Sequence, residues 1–459
     1  MIRLIRYTAI LATVWLASCT TVLEPKPVDL LVDNLVLNEP NDVEPARIGA
    51  YSALRGMAAT NMMAGDFTAD YIRHNGTFTD YRELGTKQIT SSNGAPASLW
   101  SNLYRTIYVA NFVLERLPAI SGVSAATRKQ VLAEMRFLRG YANFIGANTF
   151  GDIPKVTTTD QGTNRNIPRT PKADILASVL EDFRAAEADL ATIEAGSTAT
   201  VVNGTYANKI TAQAMLARYY LYQKNWTQAE VYATRVIDSK VYVLETNFVD
   251  IVSKDFTKES ILEVGYGLSD DPGTSAFGLT NLFVGRREVI PSDQVVVSLL
   301  STESGTRRAT VSFDSQNLQG DDNGWTVQKY GTADNDNNNI VLIRLAEMYL
   351  IRAEARAQQN KLTGTAGAVA DLNVLRVRAK APNVSAANQA EVISAIERER
   401  VYELAFEGHR WFDLIRTGRL QAVMTAFSPN WKATYDRWPI PNGEIQRNPA
   451  LKDAQNPGY

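Results

Sequence analysis

The sequence predicts a mostly α-helical fold: stacked tetratricopeptide-like helix pairs carrying an irregular, loop-rich insert with short strands. Three observations lead there. In residues 207–239, Leu216, Ala217 and Tyr220, then Ala229, Ala233 and Val236, mix small and large side chains at helical spacing, with Lys224, Asn225 and Trp226 as the turn. Residues 344–380 repeat that pattern loosely through a longer connection containing Gly364 and Gly367. Between the two, residues 241–339 lose helical periodicity and are dominated by Gly, Ser, Asp and Asn, with 260–264 reading as a short strand. Small residues let paired helices approach closely, and each pair must stack on the next to cover its open face.

The bulk numbers fit such a fold and exclude several functions. A chain of 459 residues, 45% hydrophobic and 21% charged, can bury a sizeable core. A formal net charge of −2 argues against nucleic acid as a partner, since phosphate binding needs a basic surplus. One cysteine and two histidines leave no internal disulfide and no Cys/His zinc set. No cofactor or metal is expected. The oxygen-rich run 334–339 lacks the glycine and terminal glutamate of an EF-hand loop and reads as a flexible loop.

Along the chain, residues 1–18 read as an export signal, with Arg3 and Arg6 before an apolar run too short to span a bilayer permanently. The sole cysteine, Cys19, follows Leu16, Ala17 and Ser18 in the manner of a bacterial lipobox, so acylation at Cys19 is expected to anchor the mature chain. Residues 19–39 form a Pro-rich, acidic tether, and a single domain runs from 40 to 459. Its helical scaffold covers about 98–239 and 340–420, and its insert about 240–339. A first helix is expected over 47–58 and a long loop over 61–96, with further helices at 98–117, 127–149 and 172 to about 193. Gly151 and Pro154 stop the second of these, and Pro171 opens the third.

The C-terminal stretch 340–420 organises the rest. Ile393, Ile396, Arg400, Leu404 and Glu407 follow a period near 3.6, which predicts one amphipathic helix. Glu403, Glu407, Arg410, Asp413 and Arg416 are interleaved with Phe406, Trp411, Phe412 and Ile415. Charges so placed must pair with each other or with Arg376 and Arg378. The runs 344–355, 396–400 and 407–413, with Trp438, Pro439, Ile440 and Pro441 and the ending 455–459, resemble the C-terminal signature of the SusD/RagB family of nutrient-binding outer-membrane lipoproteins.

That resemblance implies a cell-surface lipoprotein that captures an oligosaccharide or other nutrient and delivers it to a SusC-type TonB-dependent outer-membrane transporter. Family loops vary, so ligand candidates come from chemistry alone. Aromatic faces match the C–H side of a pyranose, while amides and guanidinium groups read hydroxyls. On that basis Tyr71, Asn75, Phe78 and Tyr81 in the first loop, and Tyr266, Arg286 and Trp325 in the insert, are the candidates. Phe277, Phe283 and Arg287 are the insert's other large side chains. The two loops are expected on one face, with Tyr71 or Tyr81 and Trp325 or Tyr266 within reach of a single oligosaccharide. Two competing classes are a surface glycosidase, with Glu403 and Glu407 as its carboxylates, and a tetratricopeptide-type scaffold for protein partners. The arginines around those glutamates favour structural ion pairs over catalysis.

Overall fold

The computed structural model describes residues 37–196, 204–266, 278–331, 339–386 and 388–459. The signal, Cys19, most of the tether, Phe277 and the acidic run 334–338 lie outside the described residues.

The principal helices are α1 (Val43–Met62), α2 (Thr79–Thr86), α3 (Gly94–Arg116), α4 (Ala125–Phe150), α5 (Lys172–Asp189), α6 (Lys209–Tyr222) and α7 (Trp226–Asp238). They continue with α8 (Leu345–Gln358), α9 (Ala368–Arg378), α10 (Gln389–Leu404) and α11 (Arg410–Arg416). Each long helix packs on its neighbour: α1 on α3, α3 on α4, α4 on α5, α5 on α6, α6 on α7, α7 on α8, and α8 on α9 and α10. Asn225 caps α7 by accepting from the Gln228 N–H, so the predicted turn of the first pair is also its helix-start signal. Ala212, Ala214, Ala217, Ala229 and Ala233 are fully buried, which is how these backbones come close enough to stack.

Among the described residues, eight short strands pair antiparallel in twos: β1 (Ile72–His74) with β5 (Val289–Pro291), β2 (Ile153–Pro154) with β3 (Arg169–Thr170), β4 (Ser260–Val264) with β8 (Ile340–Arg344), and β6 (Val311–Phe313) with β7 (Trp325–Val327). The pair β4–β8 returns the insert to the scaffold. The pair β1–β5 ties the first loop to the insert.

Three expectations need correction. The stretch 61–96 is not one loop. It holds a π-turn (Met63–Phe67), β1 and α2, because Tyr81 and Leu84, three residues apart, bury one face of a short helix. The helix over 393–407 stops at Leu404, and Glu407 lies in the link to α11. There Gly408 takes φ +81° and its carbonyl meets Gly65 so closely that a Cβ on Gly65 would lie 2.0 Å from it. The helix from Lys172 ends at Asp189 rather than near 193, where Leu190 turns extended and buried.

Candidate functional site

The first loop and the insert meet at one edge, and backbone geometry begins the contact. In β1–β5, Arg73 lies opposite Ile290 and His74 opposite Val289. Just past the strand, the Asn75 and Gly76 N–H groups both donate to the Glu288 carbonyl, at 2.9 and 3.1 Å. Gly76 is required there, since a Cβ would stand 2.1 Å from Glu288 Oε2. The Glu288 carboxylate accepts the Thr77 and Phe78 N–H groups (2.7 and 2.9 Å) and Arg286 Nε (3.1 Å). Burial would raise its pKa, but the two backbone donors and Arg286 outweigh burial and hold it below the usual value.

A second carboxylate organises the other half. Asp322 pairs with Arg287 through both oxygens, at 2.7 and 2.8 Å, and accepts Asn75 Nδ2 at 2.9 Å. Arg287 also donates to the Trp325 carbonyl at 3.0 Å, and Asn75 Nδ2 to the Arg287 carbonyl at 2.9 Å. Asn75 and Trp325 are thus one guanidinium apart, although they are 250 positions distant in sequence. Arg73 adds an outer tie through Asp293 (2.8 Å) and the Asp321 carbonyl (2.7 Å).

The edge presents two aromatic features. Phe313 and Trp325 are cross-strand partners in β6–β7, their ring centroids 5.3 Å apart, with Phe313 half exposed and Trp325 partly so. The Arg286 guanidinium, about half exposed, lies 4.2 Å above the Phe78 ring centroid. Aromatic faces beside the half-exposed Arg286 guanidinium and the Asn75 amide, braced from beneath by the buried Glu288 and Asp322 carboxylates, suit polyhydroxylated rings.

The candidates therefore divide. Asn75, Phe78, Arg286 and Trp325 come together at this edge. Tyr71 and Tyr81 do not reach its surface, being 3% and 1% exposed. Tyr81 sits 6.3 Å from the Phe78 ring and supports it from below, and Tyr71 packs on Phe406 under Arg410. Tyr81 shares one face of a short helix with Leu84, whereas nothing local to Tyr71 marks its burial. Tyr266 follows β4, its N–H donating to Asn339 and its ring lying near Arg55, so its described contacts belong to another region. Sequence reasoning passed over Glu288, Asp322 and Phe313. Phe313 carried no local signal, since β6 is three residues long and only its pairing with β7 sets Phe313 opposite Trp325.

Glu403 and Glu407 form no open carboxylate pair. Arg344 holds Glu259, Glu403 and Glu407 at 2.6–2.7 Å, and Arg378 and Arg307 also bind Glu403, while Lys329 binds Glu407. Burial would push both glutamates up, yet Arg378, Arg344 and Arg307 hold Glu403 far below the ordinary range, and Arg344 and Lys329 bring Glu407 to about 2. Arg376 pairs instead with Glu399 at 2.9 Å. Arg410 forks onto Asp70 at 2.8 and 2.9 Å, and Asp66 accepts the Gly408 and Arg410 N–H groups. The signature charges are the clasp between the C-terminal segment and the π-turn.

Comparison with known proteins agrees with this architecture. Residues 320–459 match the model of the SusD family, and residues 32–221 match that of starch-binding proteins associating with the outer membrane. The chain belongs to the SusD/RagB family, a group of carbohydrate-binding proteins associated with the outer membrane. It is 26% identical to SusD-like protein P25 of Formosa agariphila, over 96% of this chain and 97% of that one. A 131-residue stretch is 34% identical to the starch-binding protein SusD of Bacteroides thetaiotaomicron, covering 26% of this chain and 21% of that one. Among solved structures, a laminarin-binding SusD-like protein superposes with a TM-score of 0.78 at 22% identity, over 92% of this chain and all of its own. Among the described residues no helix is long and apolar enough to cross a membrane.

Proposed function

We propose that this chain is a non-catalytic, lipid-anchored glycan-binding protein of the outer-membrane surface. It captures an oligosaccharide at the edge formed by 72–78 and 286–327 and passes it to a SusC-type TonB-dependent transporter. The observation that carries the reading is the Phe313–Trp325 pair standing beside the Asn75–Arg287–Asp322 network. Two rings offer stacking area, and the internally bonded network fixes the segments that carry them before a ligand arrives, which reduces the ordering cost of binding. The family's carbohydrate-binding character supports the ligand class, and the laminarin-binding neighbour suggests β-glucans as a first probe. Full engagement of Glu403 and Glu407 by arginine and lysine argues for binding without hydrolysis.

Calorimetric titration with laminari- and malto-oligosaccharides tests the site. Trp325→Ala is expected to weaken binding by about 1–3 kcal/mol, the range for truncating an important contact residue, with the melting temperature kept. Unchanged affinity in that variant, or release of shorter sugars by the parent chain, contradicts the reading. For the anchor, Cys19→Ala should move the protein from the membrane pellet to the soluble envelope fraction. A variant that still pellets after a high-salt wash rules out acylation at Cys19.

A further inference from the structure

A cavity of about 320 Å³ lies away from the loop edge, where the turn between α6 and α7 faces α8, α10 and α11. Its apolar wall includes Trp226, Ile393 and Leu414, and five cations line the remainder: Lys224, Arg400, Arg410, Arg416 and Arg419. Three carboxylates, Glu354, Glu397 and Asp413, share the lining.

Every one of those carboxylates is already engaged. Glu354 takes both Nη atoms of Arg416, at 2.5 and 2.9 Å. Asp413 takes Arg416 Nε at 2.8 Å on one oxygen and Arg400 Nε at 2.6 Å on the other. Glu397 takes Arg419 at 3.0 Å. Arg410 is satisfied outside the cavity by Asp70. Even with Asp70 counted, five cations face four carboxylates, so one positive charge is unmatched among the described residues.

The cation left over is Lys224, since Arg400, Arg410, Arg416 and Arg419 each hold a carboxylate, but Arg400 also keeps donors to spare. Arg400 is 5% exposed, and its Nη1 and Nη2 are buried with no hydrogen-bond partner among the described residues. Such donors are rare in folded proteins and costly to leave unmet. At the rim, the exposed Lys224 makes no ion pair among the described residues and takes a left-handed backbone, φ +55°. An arginine fork within and a lysine at the mouth, against an apolar wall, suit a small ligand with an oxyanion at one end and a carbon skeleton at the other.

We propose that this cavity binds a small organic acid no larger than one sugar ring, its carboxylate or phosphate oxygens accepting from Arg400 and attracted by Lys224. The inference is independent of the glycan edge, with which the cavity shares no residue.

Titration of the purified protein with glucuronate, acetate and inorganic phosphate, read by calorimetry and by crystal soaks, tests it. Saturable binding of glucuronate is expected, with acetate weaker because it leaves the apolar wall uncovered. Phosphate binding more tightly than glucuronate would assign the site to phosphate esters within the same oxyanion chemistry. Arg400→Lys keeps a cation beside Asp413 but removes the fork, and should weaken binding about tenfold or more. Lys224→Ala alters only an exposed side chain, so it serves if the first variant fails to fold, and should weaken binding several-fold while lowering its salt dependence. Loop-edge variants such as Trp325→Ala should leave this binding unchanged. No saturable binding by any probe, only water beside Arg400 in the soaked crystal, or affinity indifferent to both variants overturns the proposal.

Discussion

At the scale of single residues, burial of an ionisable side chain sets how stability answers to pH. His409 is buried between Glu347, Asp413, Arg218 and Arg400, and burial, helped by the two arginines, brings its pKa down from 6.5 to about 4. The folded imidazole therefore stays neutral where the unfolded one takes up a proton. Between pH 6.5 and 4 the unfolded chain binds more protons, so stability falls as pH drops through that window, by about 1.4 kcal/mol per unit from this one group. Chemical denaturation of the parent and of His409→Asn across that range checks it. The variant should show a shallower pH slope, and identical slopes would contradict the assignment. The same scale explains why the ligand candidates divided. An aromatic among Gly, Asn and Asp gives no sign of whether it supports a surface or forms it, and Tyr81 and Phe78, three residues apart, take those two parts. Burial of Tyr71 follows from Arg410 and Phe406, some 340 positions later, which no local pattern contains.

At the scale of elements, what was legible is what repeats locally. The pairs α6–α7 and α8–α9 announce themselves through small buried alanines and an asparagine cap, and the strand at 260–264 through its β-branched and aliphatic run. The break after Leu404 was hidden, because periodicity continues through Glu407 while Gly408 bends to meet Gly65 across the fold. The pairing of β1 with β5 was equally hidden, since a three-residue strand carries almost no periodic signal. The clasp on α11 gives a sharp test. Arg410 and Asp70 are nearly buried and bidentate, and removing one partner leaves the other charge uncompensated. Arg410→Ala should cost about 3–5 kcal/mol and lower the melting temperature markedly. Unchanged melting with abolished glycan binding would instead make Arg410 a ligand contact.

At the scale of the molecule, a helical stack supports an irregular insert, and the C-terminal tail ties the segment after the π-turn to the end of α4. Trp438 is fully buried with its indole N–H on Thr68, and Asn456 donates to the Phe150 and Trp438 carbonyls while accepting from Arg169. That tie steadies the first loop, whose pairing with the insert through β1–β5 forms the proposed glycan edge. The expected pairing of Tyr71 or Tyr81 with Trp325 or Tyr266 on one face does not form, because both tyrosines of the first loop are buried; the two segments meet instead through Asn75, Phe78, Arg286 and Trp325, by contacts that only the assembled fold supplies. The most direct measurement is a crystal structure of the protein soaked with a laminari-oligosaccharide. Sugar-ring density stacked on Trp325 and Phe313, with hydroxyls reaching Asn75 or Arg286, is the predicted result. An oligosaccharide bound elsewhere, with that edge bare, would contradict the account.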